Sequence, residues 1–235
     1  VISGAILEVI LSFTLISLKP KLIFNKDQIV QIVHSGKWVT AYGILNYFSM
    51  KGDNIVVGRL FGSFSLGIYE MAYNIAILPI SEISDVANRV AFPIFARIEQ
   101  EKERLAKGFK KTMFMVSVPS LILSLIIFIF SKEIVLTVLG QKWESAVPIL
   151  KLLAVYGFVR AITGSATSLF LAVKKQKYVT VMNMTKVLVM FIFILPLAML
   201  YGIKGVVYSV ILSAAVEIPI TIYCIQKILK EKNKI

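Results

Sequence analysis

Seven stretches of mostly apolar residues, each near the length needed to cross a lipid bilayer, dominate this sequence. They cover roughly residues 2–18, 36–60, 66–95, 112–139, 146–173, 178–200 and 203–228. A membrane helix needs about 20 such residues, because each rises ~1.5 Å through a hydrocarbon core of about 30 Å. The stretches over 112–139, 178–200 and 203–228 are the cleanest. Those over 36–60 and 66–95 carry several charges, and 2–18 is short, as though its beginning were missing. The 235 residues are 57% hydrophobic and only 17% charged, with a mean hydropathy of +0.82. A soluble domain averages about 45–50% apolar and about 25% charged residues, so a water-soluble enzyme is excluded.

The net charge of +13 would also suit a nucleic-acid binder, so the positions of the charges decide. Seventeen of the 26 basic residues fall in alternate connections. These are Lys19, Lys21, Lys26 and Lys37; Arg97, Lys102, Arg104, Lys107, Lys110 and Lys111; Lys174, Lys175 and Lys177; and Lys227, Lys230, Lys232 and Lys234. The opposite connections hold five: Arg59, Lys132, Lys142, Lys151 and Lys204. Such asymmetry labels the cytoplasmic side. It predicts a cytoplasmic C-terminus, and nucleic acid falls away as a partner. The mixed-charge connector over 97–111 is expected either to lie as an amphipathic segment on the membrane surface or to be a solvated charged loop. Connections on the other side are short, which argues against a receptor or an extracellular binding domain.

Catalytic motifs are scarce. A single His34 and a single Cys224 cannot form a metal cluster or a nucleophilic pair, and no phosphate-cradling loop occurs. The informative residues are ionisable ones at membrane depth, which are costly in lipid and normally face a bundle interior or an aqueous cavity. They are Lys51, Asp53, Glu70, Glu82, Asp85, Arg89, Arg160, Lys186 and Glu217. Glu82, Asp85 and Arg89 share a helix face at steps of three and four, with Asn74, Ser81 and Asn88 widening the stripe, and Asp85 is expected to pair with Arg89. Two readings stay open: the charges line a cavity, or they are salt bridges that hold helices together. Pro79, Pro119, Pro148, Pro196 and Pro219 sit in or at the edges of spans and are expected to kink them. Gly157, Ala161 and Ser165, and likewise Gly164, Ser168 and Ala172, form small-residue stripes that let helices approach.

The run Asp53-Asn-Ile-Val-Val-Gly-Arg-Leu-Phe-Gly62, Leu66-Gly-Ile-Tyr69 with Ala72-Tyr73, Leu78-Pro79, Arg89-Val-Ala-Phe-Pro93 and Arg97 resembles the polysaccharide transporter family. Leu139-Gly-Gln-Lys-Trp143, Ala146-Val-Pro-Ile-Leu150 and the Arg160 segment continue the resemblance in order. The family belongs to the multidrug/oligosaccharidyl-lipid/polysaccharide exporter superfamily. The resemblance implies an all-α, polytopic membrane protein built on two six-helix bundles. This chain would correspond to its C-terminal half: residues 1–35 as the last helix of the first bundle with a cytoplasmic linker, and 36–235 as the second bundle. The non-Met start agrees with a fragment.

The implied activity is not enzymatic. It is the flipping of an undecaprenyl-diphosphate-linked oligosaccharide across the bacterial cytoplasmic membrane, for surface polysaccharides such as O-antigen or exopolysaccharide. Arg89, Arg160 and Lys51 are the candidates for the diphosphate and sugars. Asp53, Glu70, Glu82 and Asp85 would tune those cations or carry a coupling proton or sodium ion. No metal or other cofactor is implied. Partners would be the lipid-linked oligosaccharide, membrane lipids, the N-terminal half of the transporter and polysaccharide polymerase machinery. A cation-coupled multidrug exporter of the same superfamily is the alternative, and a membrane-embedded glycan polymerase or ligase a more distant one.

Overall fold

A computed structural model of the chain describes residues 26–230, all of its elements helical. The expected span over 2–18 lies outside them. The chain divides into two units, Val1–Tyr42 and Gly43–Ile235. In the first, residues 26–42 are helical. The second contains the bundle that carries the site.

Helix α1 runs Lys26–Arg97, α2 Lys102–Ile129, α3 Val147–Ala172, α4 Gln176–Tyr201 and α5 Ile203–Lys230. Among the described residues, five helical stretches are long and apolar enough to cross a membrane. The protein is an all-α, polytopic membrane protein. The first stretch, Asn46–Arg97, is not straight. Gly62, with φ 81° and ψ 176°, sits in a region open essentially to glycine alone. Residues that meet across this break straddle it almost symmetrically: Asp53 with Tyr69, Asn54 with Glu70, and Gly58 close to Leu66. Only an antiparallel hairpin brings such pairs together. The arms before and after Gly62 therefore match the expected spans over 36–60 and 66–95.

Three expectations are corrected. The connector over 97–111 is no separate surface segment: α1 ends at Arg97, and α2 has begun by Lys102. Leu105 and Phe109 are buried at its start, with the Phe109 ring 6.4 Å from that of Phe95. Apolar residues at helical spacing drew this charged stretch into the bundle. The stretch expected over 112–139 stops at Ile129; a short helix, a π turn over Val135–Leu139 and a 3-10 turn over Gln141–Ala146 lead into α3. Pro148 starts α3 without kinking it, since the first helical turn needs no amide donor there.

Small residues make the packing close, as expected where lipid leaves little hydrophobic drive between helices. A Cβ on Gly157 would stand 2.9 Å from Ile80 and 3.2 Å from Ile77, so α3 presses directly on the second arm of α1. Ala161 and Ser165 continue this buried stripe. Ser84 donates to the Ala161 carbonyl at 3.4 Å, Asn88 to the Gly164 carbonyl at 3.3 Å and Ser124 to the Ala154 carbonyl at 2.7 Å. One buried cluster, including Val57, Tyr69, Leu150, Met190 and Val207, fills the half of the bundle near Gly62. A second, including Phe95, Phe109, Phe170, Met182 and Cys224, fills the half near the basic connectors. Large apolar side chains such as Phe114, Ile192 and Met199 face outward. That outward face suits lipid.

Candidate functional site

Four elements contribute ionisable or phenolic groups to one buried region about midway along the bundle. The first arm of α1 supplies Asp53, which is 4% exposed, and the second arm supplies Tyr69, which is fully buried. Tyr69 donates its hydroxyl proton to Asp53 Oδ2 at 2.6 Å, and the Asn54 amide donates to Oδ1 at 2.9 Å. Four residues on, one helical turn, Tyr73 lies with its ring 6.3 Å from that of Tyr69. Its hydroxyl oxygen accepts a hydrogen bond from the Arg160 guanidinium of α3 at 2.5 Å. One turn before Arg160 on α3, the buried Tyr156 presents its ring to Lys186 Nζ of α4 at 5.7 Å. A desolvated cation over a ring is worth about 2 kcal/mol. Glu217 of α5 is 8% exposed and Lys186 9%. Lys186 and Arg160 are the cations whose fields reach Glu217, and Lys186 also acts on Asp53.

The region thus holds two cations and two carboxylates, none in a direct ion pair among the described residues, with tyrosines between them. In hydrocarbon an uncompensated charge costs several kcal/mol, so balanced charges and phenolic donors make the burial tolerable.

The expected site residues divide into three groups. Asp53 belongs to this buried region, and Arg160 lies half-buried at it. Lys51 and Glu70 lie beside it at the bundle surface, their ion pair 3.7 Å long with about half of each side chain exposed. Asn54 also donates to Glu70 at 2.9 Å. Glu82, Asp85 and Arg89 are not brought to the region: all three are exposed on the outward side of the second arm. Among the described residues no ion pair joins Asp85 to Arg89, contrary to expectation. Their stripe turns away from α3 because Ser84 and Asn88, on the adjacent face, dock against it. The Asn88 Oδ1 atom is buried there without a hydrogen-bond partner.

In the sequence Lys186 and Glu217 are legible as charges at membrane depth but not as members of a site, and Tyr69 and Tyr73 only as parts of a motif. The one-turn spacing of Tyr156 and Arg160 was the available signal. Among the described residues no group of three or more His, Cys, Asp or Glu could hold a metal ion.

Residues 1–148 match the model of a family described as polysaccharide biosynthesis protein. The chain belongs to this family. The match begins earlier than the motifs quoted above and ends before Arg160. The chain is similar to the lipopolysaccharide biosynthesis protein WzxC of Escherichia coli, 32% identical over 154 residues. That alignment covers 66% of this chain and 31% of the relative. It is similar to the teichuronic acid biosynthesis protein TuaB of Bacillus subtilis, 32% identical over 65% of this chain and 32% of that protein. The succinoglycan biosynthesis transport protein ExoT of Rhizobium meliloti is 22% identical over 57% of this chain and 27% of its own length. The matched stretch thus spans between 27% and 32% of each of these relatives. No solved structure matches the chain.

Proposed function

We propose that this chain is part of a transporter, not an enzyme, that flips a lipid-linked oligosaccharide across the bacterial cytoplasmic membrane for surface polysaccharide synthesis. The observation that carries this reading is the meeting of buried Asp53, Lys186 and Glu217 with the partly buried Arg160 between apolar helices, in a chain of the polysaccharide biosynthesis family. A sugar headgroup cannot cross hydrocarbon unaided, because its hydroxyls would lose their hydrogen bonds to water. A polar path through the protein replaces those bonds while the lipid tail stays in the bilayer. The transport named in the ExoT relative supports the same reading.

In this scheme the exposed stripe of Glu82, Asp85 and Arg89 lines the path. Lys51 lies beside it, and Arg160 offers a planar fork suited to a diphosphate. Asp53 and Glu70 tune these cations or carry a coupling proton or sodium ion. Residues 1–35 and 36–235 act as the end of one bundle and the whole of the next, and rocking of the two bundles alternates access. The basic connectors and the C-terminus are cytoplasmic, where polymerase machinery is a candidate partner.

The test is Arg160→Ala and Arg89→Ala in the complete transporter. Each is expected to lower surface glycan by roughly tenfold or more, as loss of a charge-assisted contact of about 1.5–3 kcal/mol would. Membrane insertion should remain normal. Unchanged glycan export in both variants would remove the path assignment.

A further inference from the structure

Neither cation of the region midway along the bundle touches a carboxylate among the described residues. Lys186 rests over the Tyr156 ring, whereas Arg160 is fixed by a hydrogen bond of its own. Its Nη1 donates to the Tyr73 hydroxyl oxygen at 2.5 Å. Asp53, the acid on the facing arm, is already engaged on both oxygens, by the Tyr69 hydroxyl and the Asn54 amide. A guanidinium carries five N–H donors, so a single phenol oxygen leaves most of the fork and all of its charge for another partner. A carboxylate at the same place would hold the fork equally well. It would also neutralise the charge and compete with an incoming anion.

Exposure sets this pair apart from its neighbours. Asp53, Tyr69, Tyr156, Lys186 and Glu217 are buried, while Tyr73 and Arg160 are only partly so. The pair is therefore the part of the region that a molecule entering from outside meets first. Both of its members stand on braced backbone. The Tyr73 ring lies 6.3 Å from that of Tyr69, which is fully buried and fastened to Asp53 across the hairpin. A Cβ on Gly157, three residues before Arg160, would stand 3.2 Å from Ile77, one turn after Tyr73, so the two helices cannot approach further. The hydroxyl thus sits at a set place, and it aims a side chain that would otherwise swing through many rotamers.

Resting on the transport reading above, we infer that Tyr73 is the positioning residue for Arg160. By holding Nη1 it directs the rest of the fork at the headgroup and makes the path favour a diphosphate over a monophosphate. A fixed planar fork donates paired hydrogen bonds, and neighbouring phosphates offer the oxygens for them. A free guanidinium or an ammonium acts only as a charge and discriminates less.

The test uses the complete transporter in phosphatidylcholine nanodiscs, with farnesyl diphosphate and farnesyl phosphate as probes. Tyr73→Phe keeps the ring and removes the acceptor. It should lower the preference for the diphosphate by roughly fivefold. Arg160→Lys should show the lowered preference by itself, and adding Tyr73→Phe to it should change nothing further, because an ammonium has no fork to aim. Each preference is a ratio within one preparation, so a loss of folded protein cancels and a merely structural role for Tyr73 would not move it. If Arg160→Ala weakens diphosphate binding but Tyr73→Phe keeps the full preference, the positioning role is overturned and the transport reading stands. A further fall on adding Tyr73→Phe to Arg160→Lys would show that Tyr73 meets the headgroup directly, which also overturns it. Diphosphate binding unchanged by Arg160→Ala would remove the role of Arg160 in the transport reading, and the positioning role with it.

Discussion

Lys186 shows how much one side chain can carry in a bundle without water. It is buried on α4, lies over the Tyr156 ring, and its charge acts on both Asp53 and Glu217. Replacing it by Met keeps the bulk but leaves two buried carboxylates facing Arg160 alone. Lys186→Met is expected to destabilise the chain by about 1–3 kcal/mol, the cost of stranding a buried polar partner. Adding Glu217→Gln should recover part of that loss, read as a thermal melt in detergent. A double variant no more stable than Lys186→Met would mean that the two groups do not act on each other. Sequence alone shows that these residues are charged and at membrane depth. It does not show that they meet, because the four residues come from three different helices and the hairpin.

At the scale of elements, most boundaries were legible: α3, α4 and α5 lie within a few residues of the apolar stretches that announced them. The hairpin was legible as two stretches separated by a polar gap, and the Gly62 backbone explains why they stay antiparallel. The start of α2 was not legible. Charge density over 97–111 outweighed Leu105 and Phe109, whose burial depends on Phe95 and Phe170 being near. The small-residue stripe on α3 was legible as a packing face, though not its partner. That partner sets a prediction: Gly157→Val forces a branched side chain against Ile77 and Ile80. It should cost about 1–3 kcal/mol, as overpacking does. Gly157→Ala meets only the flexible ends of those isoleucines and should cost distinctly less. Equal melting of the two variants would show that the contact yields freely.

For the whole molecule, the prediction concerns orientation. In a Cys224→Ser background, Lys107→Cys should react with a membrane-impermeant maleimide only from the cytoplasmic face, and Lys142→Cys only from the other. Labelling of both from one face would overturn the charge-derived orientation. The structure agrees on which connections share an end, since Lys174 and Glu99 from separate turns meet at 3.6 Å. By itself the sequence determined that this is a polytopic helical membrane protein, with its charges sorted between two ends and a few left at depth. Those properties follow from local sums: apolar length against bilayer thickness, and basic residues counted per connection. Only the tertiary structure decided which deep charges are buried together and which face outward. Glu82, Asp85 and Arg89 have the same helical spacing whether they face a neighbour or not. Asn88 and Ser84, by docking on α3, rotate that stripe outward and leave Asp53, Lys186 and Glu217 inside, with Arg160 half-buried beside them.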